Sequence, residues 1–316
     1  MPTAPRLLQA PNQVVDLNDW ELEDNPFGLQ GNKPKRIFVC PPNPPHSFLI
    51  GGHRYLFKEP DGWRAPQIWS EVIAYELSRD LGIPVPPAFL ARAPGNGSPG
   101  VLIEFFYDHP GDAKRRYVDA IELLQGSGVA TDLRRGSLLH NISLSRSLAI
   151  LGWREWWART IALDAIIGNV DRHSRNWGTI ITLGHARQSY ELAPAFDNGT
   201  SLGYNFPEDQ LARRTDPVEI AKLVSDGRHH FGWLSGDDAS AQHSTLCREM
   251  SERLIGGVGN AMDDAANLAD HRIEEILNWC SRFDFPVRFS DQRVAFVGAQ
   301  LRARRDALAN ALRNEK

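Results

Sequence analysis

The chain has 316 residues, 42% hydrophobic and 23% charged, which excludes a disordered or fibrous protein and suits one bilobed domain or two modest ones. Its 35 Lys and Arg against 39 Asp and Glu leave a net charge of −4, so bulk electrostatics give no ground for direct nucleic-acid binding. Cys40, Cys247 and Cys280 form no C-x-x-C pair or disulfide framework, the N-terminus lacks an apolar signal core, and no apolar run nears the roughly 18 residues of a membrane span, so a cytoplasmic protein is expected.

In chain order, residues 1–26 carry Pro, Asn and Asp without periodicity and read as an irregular leader. Two β-prone runs follow, Arg36–Cys40 and His53–Lys58, separated by Pro41-Pro42-Asn43-Pro44-Pro45 and Gly51-Gly52. Ile73, Leu77 and Leu81 predict a helix from about Pro66 to Leu81, stopped by Gly82. Val85–Arg92 and Val101–Tyr107 predict strands joined as a hairpin through Ala93–Gly100.

From about Arg116 helices dominate. Ser145–Ile167 carries Leu148, Leu151, Trp156, Leu163 and Ile167, widened by Trp153 and Trp157, and ends at Gly168. A short hairpin is expected across Thr179–Thr182 and Ser189–Leu192, with helices at Pro217–Ser225, Asp270–Cys280 and Gln292–Leu312. The basic doublets Arg115-Arg116, Arg134-Arg135 and Arg213-Arg214, and the helical Arg302-Ala303-Arg304-Arg305, read as solvated surface. The expectation is an α+β chain: a β-rich front lobe over residues 27–107, a mostly helical back lobe over 108–316, and a cleft between them.

The stretch richest in chemistry is Gly168–Gly178, where Asp171 and Asn176 lie five residues apart, with Asp197 following in Leu192–Gly199. Phosphoryl transfer asks a protein mainly to place groups and neutralise charge. Asp171 would orient or accept the proton of an attacking hydroxyl; Asn176 and Asp197 would ligate magnesium. Each alone would be an ordinary turn residue, but the three in this order beneath a Trp-rich helix favour the functional reading. His173 would orient this loop, or join Asp171 and Asp197 in a zinc hydrolase, a competing reading that lacks a second His.

Lys58 would hold the α- and β-phosphates of ATP, its ammonium fixed by Glu71 on the following helix or, as the alternative, by Glu76. In Phe27–Lys35, Gly28 and Gly31 would let backbone amides approach the phosphates and Lys33 would add charge, although the loop matches neither G-x-G-x-x-G nor a P-loop. Glu104, Phe105 and Phe106 sit where a strand gives way to a linker, a position that could offer an adenine ring backbone partners between apolar walls.

With these residues in place, the chain resembles the HipA-like bacterial serine/threonine kinases, and most closely short members built of little more than the kinase core. The resemblance runs through Gly31-Asn32-Lys33-Pro34-Lys35, Tyr55-Leu56-Phe57-Lys58, Glu71–Leu77, Leu81-Gly82-Ile83-Pro84, Ile167–His173 and Leu192–Asp197, over roughly residues 27–205. It implies a bilobed protein-kinase-like fold, ATP and magnesium, Asp171 as base, Asn176 and Asp197 as metal ligands, and Lys58 as the phosphate-binding lysine. It also implies a protein substrate with a Ser or Thr acceptor, and autophosphorylation as a candidate reaction. Some family members are toxins held by an antitoxin. That partner stands on weaker ground here, because full-length toxins carry an N-terminal subdomain where this sequence has a short leader. A regulatory Ser of the toxins' Gly-rich loop has no counterpart in Phe27–Lys35. Two other readings share the nucleotide site: a small-molecule or inositol-lipid kinase, and a nucleotide-binding pseudokinase. The complete polar set argues against the last.

Overall fold

A computed structural model describes residues 8–23, 35–126, 137–183, 189–234, 240–254 and 258–313. Gly28, Gly31 and Lys33, and the doublet Arg134-Arg135, lie outside the described residues.

The front lobe is a six-stranded sheet of β1 (Val15–Asp16), β2 (Glu21–Glu23), β3 (Lys35–Val39), β4 (Arg54–Lys58), β5 (Ala88–Arg92) and β6 (Pro99–Glu104), in the order β1-β5-β6-β4-β3-β2. Strand pairing is antiparallel except for β1 against β5. The segment expected to be an irregular leader thus supplies both edge strands. Their two and three residues are too short to leave a periodic signal. Side chains alternate across the sheet. Tyr55 and Phe57 of β4, with Phe38, Phe89 and Leu102, bury one face in a local core. Leu56 and Lys58 take the other face, which looks onto the cleft.

Helix α1 (Gln67–Asp80) crosses that second face and belongs to the large core of the back lobe, through Ile68, Trp69, Val72, Ile73 and Leu77. Its attachments are polar as well as apolar. Trp69 Nε1 donates to Val287 O at 2.8 Å, Ser70 Oγ donates to Ser201 O at 3.0 Å, and Arg272 pairs with Asp80 at 2.9 Å.

The back lobe opens with a strand that its helical pattern did not announce. β7 (Arg115–Asp119) pairs with β8 (Gly178–Thr182), which pairs with β9 (Tyr190–Leu192), as a three-stranded antiparallel sheet. α2 (Ala120–Gly126) follows β7. The helix expected over Ser145–Ile167 is two helices, α3 (Leu138–Ser147) and α4 (Trp153–Ile167). Ala149 (φ 51°) and Gly152 (φ 71°) reverse the chain between them, and Leu151, expected on the apolar face, is 94% exposed in that turn.

The other helices are α5 (Glu208–Arg214), α6 (Pro217–Asp226), α7 (His243–Arg253), α8 (Val258–Ala266), α9 (Asp270–Ser281) and α10 (Asp291–Arg313); α7, α8 and α10 pack on α4, and α10 in turn carries α5, α6 and α9. Within the expected surface cluster on α10, Arg304 is buried against Gly168, and burial lowers its guanidinium to about 10. Cys40, Cys247 and Cys280 are buried free thiols. Among the described residues no helix is long and apolar enough to cross a membrane.

Candidate active site

Helix α4 is a rigid mount. Trp156, Trp157 and Trp177 pack edge to face, and their indole nitrogens donate to Ala193 O, Ser145 Oγ and Asn141 Oδ1. The helix ends at Gly168 in the left-handed conformation (φ 65°, ψ 42°), where a Cβ would lie 2.5 Å from the Arg304 guanidinium carbon. The chain turns there into the loop that carries Asp171.

Lys58 stands at the centre of the cleft. Its ammonium donates to Glu71 Oε1 at 2.7 Å and to Asp197 Oδ1 at 2.8 Å. Burial alone would lower its pKa; the carboxylates of Asp197 and Glu71 outweigh that and hold it above the usual lysine value. Glu71 therefore takes the place expected of it, while Glu76 pairs with Arg79 at 3.2 Å. The second oxygen of Glu71 accepts from the Asn198 amide at 3.0 Å, so α1, β4 and the Asp197 segment are joined by one carboxylate. Asp197 itself has φ 58°, a left-handed conformation that Asp tolerates better than most residues.

The loop and the Asp197 segment are locked together by Arg172, which is fully buried. Its guanidinium makes a two-pronged pair with Asp164 of α4 (Nη2–Oδ1 2.8 Å, Nε–Oδ2 3.1 Å). It also donates to the carbonyls of Asn176 and Phe196 and to Asn198 Oδ1. Asp164 accepts further hydrogen bonds from Asn169 Nδ2 at 3.0 Å and His229 Nε2 at 3.2 Å. Burial would raise its pKa, yet Arg172 and His229 hold the carboxyl well below the usual range. Arg172 lies within Ile167–His173 and Asn198 within Leu192–Gly199, yet the sequence assigns no role to either, nor to Asp164 and His229. The one sequence clue is Asp164 itself, a lone charge inside Ile161–Ile167.

His243 closes the underside of the loop, donating from Nε2 to Asn169 O at 2.8 Å. Burial, with Arg304 and His229 nearby, lowers its pKa from 6.5 to about 3. Between those values the unfolded chain takes up a proton that the folded chain refuses, so folding stability falls as pH drops below about 6.5. Thermal melts from pH 7 to 4.5 are expected to show this loss, and His243→Gln, which keeps a donor but cannot titrate, to show a shallower one. Equal slopes would remove His243 from the account.

Asp171, with 44% of its side chain exposed, is open to an incoming group. Its backbone N–H donates to Asn169 Oδ1, and its carbonyl accepts from Asn176 Nδ2 at 2.7 Å. That last bond turns the Asn176 amide so that Oδ1 is the atom left to offer a cation. With the Asp197 carboxylate it makes an oxygen donor set of the kind magnesium takes. His173 Nδ1 accepts from the Arg175 amide at 3.1 Å, which places a neutral ring's proton on Nε2, 3.7 Å from Asp171. Asp171, His173 and Asp197 do not bring three ligand atoms within 4.8 Å of one another, in keeping with the use of Asp197 by Lys58.

The cleft continues past Lys58 as about 420 Å³ of space, partly open to solvent, walled by Leu56, Val85, Ile103, Phe105, Phe106 and Phe196, with Glu104 at its edge. Phe106 stacks on Phe196 with centroids 5.5 Å apart. The amides of Glu104 and Phe105 are committed to Pro87 O and Arg54 O. Beside them His53, Glu104 and His109 bring ligand atoms within 4.8 Å, but the two imidazoles stack face to face (4.2 Å, 12°). A metal about 2.0 Å from both rings would have to lie in both ring planes, which stacked rings do not allow. His53 instead donates to Phe105 O at 2.6 Å and His109 meets Glu104 at 3.2 Å, fastening the strand end to the linker.

Residues 28–266 match the HipA-like C-terminal domain family. The chain belongs to that family. Its structure is similar to the crystal structure of the Helicobacter pylori proinflammatory kinase CtkA, with a TM-score of 0.72 at 16% identity, over 96% of this chain and 100% of that one. It is also similar to HipA of Shewanella oneidensis MR-1, solved with HipB and operator DNA, with a TM-score of 0.54 at 14% identity, over 93% of this chain and 69% of that one. No curated protein sequence matches significantly. At these identities the likeness establishes the bilobed kinase-like α+β fold.

Proposed function

We propose that the chain is an ATP- and magnesium-dependent kinase that transfers the γ-phosphate to a serine or threonine hydroxyl of a protein. The observation that carries this reading is the Lys58 ammonium held between Glu71 and Asp197, 2.7 and 2.8 Å away, in a cleft bordered by an apolar recess. Burying one ammonium with two carboxylates is costly and leaves the group net negative, a charge that a divalent cation with its phosphates would offset.

In this reading Lys58 binds the α- and β-phosphates while the base enters the apolar recess walled by Leu56, Val85, Ile103 and the stacked Phe106–Phe196 pair. Asp197 and Asn176 would hold magnesium, which when bound neutralises phosphate charge. Asp171 accepts the acceptor hydroxyl's proton as that oxygen bonds the γ-phosphorus and the bond from phosphorus to the β–γ bridging oxygen breaks, with ADP as the leaving group, and His173 steadies the Asp171 carboxylate. Arg172 keeps Asn176 and Asp197 in fixed relation, so the groups need no rearrangement at the moment of transfer. The Gly28–Lys33 loop would cover the phosphates. Helicobacter CtkA is described as a kinase and Shewanella HipA is seen with HipB; an antitoxin-type partner for this chain is compatible with the reading and has no surface assigned to it.

The test is incubation with γ-labelled ATP and magnesium, alone and with cell lysate, beside Asp171→Ala. Label on protein that requires magnesium and vanishes in the variant is expected. Bound ATP with no labelled protein would move the assignment to a small-molecule kinase or a pseudokinase.

A further inference from the structure

The transfer just described leaves an aromatic surface beside Asp171 without a role. The 3-10 turn Gly62–Arg64, between β4 and α1, presents Trp63 with 59% of its surface exposed. Its ring stacks on Tyr204, centroids 5.8 Å apart and planes at 22°, and the Arg64 guanidinium lies 4.6 Å from the Trp63 centroid. The Tyr204 hydroxyl is hydrogen-bonded to Gln67, which lines the cleft together with Lys58 and Asp197, and it feels the charge of Asp171. Tyr204 is also fixed through its backbone. Its amide donates to Ser201 O, and its neighbour Leu202 donates to Ile167 O at the end of α4. The pair therefore bridges the front-lobe turn and the segment after Asp197, and that segment is tied to the Asp171 loop by the Val170 amide, which donates to Thr200 O at 3.4 Å. Val170, the residue before Asp171, adds a further exposed apolar side chain.

We propose that Trp63 and Tyr204 are the docking platform for the phosphate acceptor, and that the acceptor is an extended protein segment with an aromatic or large aliphatic side chain close to its Ser or Thr. The inference rests on the kinase reading and narrows its substrate. Small-molecule sites enclose most of their ligand, whereas this surface is open. Peptide recognition instead relies on one or two aromatic anchors. Stacking has already ordered both rings, so little side-chain freedom remains to be lost on docking. Continuity with the site, through Gln67 in the cleft lining and the Val170–Thr200 bond at the Asp171 loop, joins the platform to the segment that carries the base.

A positional-scanning Ser/Thr peptide library, labelled with γ-labelled ATP and magnesium, tests this with wild type, Trp63→Ala and Trp63→Phe. Wild type is expected to select Phe, Tyr, Trp, Leu or Ile at one flanking position. Trp63→Ala should lose that selection and about tenfold or more in kcat/KM for the preferred peptide, with KM for ATP unchanged. Trp63→Phe should retain most of both. Trp63 is exposed, so the variants are expected to melt like wild type. Selection profiles that coincide in wild type and Trp63→Ala would overturn the platform while leaving the kinase reading intact. A library left unlabelled by wild-type protein that still binds ATP would overturn the protein-kinase reading and the platform with it.

Discussion

Asp197→Ala is expected to cut turnover by on the order of a thousandfold or more and to weaken magnesium-dependent nucleotide binding. The variant removes the carboxylate proposed to hold magnesium and leaves Lys58 with Glu71 alone. Asp171→Ala should lose turnover to a similar degree while nucleotide affinity stays within a few-fold, because its exposed carboxylate serves the acceptor. Alanine at position 197 also meets a left-handed backbone, a strain of roughly 1 kcal/mol. Asp197→Asn, which tolerates that conformation, separates loss of charge from strain. Calorimetric titration of Mg-ATP into all three decides the matter. Equal binding defects in the position 171 and 197 variants would show that the division of roles is wrong.

Asp164→Asn is expected to cost about 3–5 kcal/mol of stability, although Asp164 touches no part of the cleft. Arg172 would keep its charge in a fully buried place without the one carboxylate hydrogen-bonded to it, leaving only the more distant Asp197 and Glu71 to oppose that charge. Denaturant unfolding measures the loss, and a change under 1 kcal/mol would refute it. The double variant Asp164→Leu with Arg172→Met removes both charges and should recover much of the stability. It should not recover turnover, because the carbonyls of Asn176 and Phe196 would lose the guanidinium that joins them. The wild-type pair is indifferent to pH through the neutral range. Asp164 titrates below the ordinary carboxylate range when folded, so its contribution is present above that range and is lost only in strong acid.

The parts of this fold that were legible in the sequence are those where period and punctuation agree. α1 shows leucine spacing closed by Gly82, the β5–β6 hairpin a Gly- and Pro-rich loop, and α4 an apolar run halted at Gly168. What stayed illegible follows from physics that acts at a distance. β7 reads as ambiguous because two of its residues are arginines, and it becomes a strand only when β8, some sixty residues later, offers its edge. The break at residues 149–152 hides in an apolar stretch whose leucine faces water. At the site, the meeting of Lys58 with Glu71 and Asp197 was readable because transfer chemistry names residue types at spacings, and the same logic picked out Asp171 and Asn176 on one loop. Arg172 was not, since the demand it answers comes from orphan carbonyls that exist only once the chain is folded.

Helix α1 carries one further consequence. It lends Glu71 to the front sheet while Trp69 and Ser70 are committed to residues 201 and 283–289 at the back. Neither lobe can melt without tearing a face from the other's core, so the two behave as a single cooperative unit. The alignment of Lys58 with Glu71 is in that sense bought at the distant carboxyl-terminal helices, and damage there reaches the cleft as surely as damage within it.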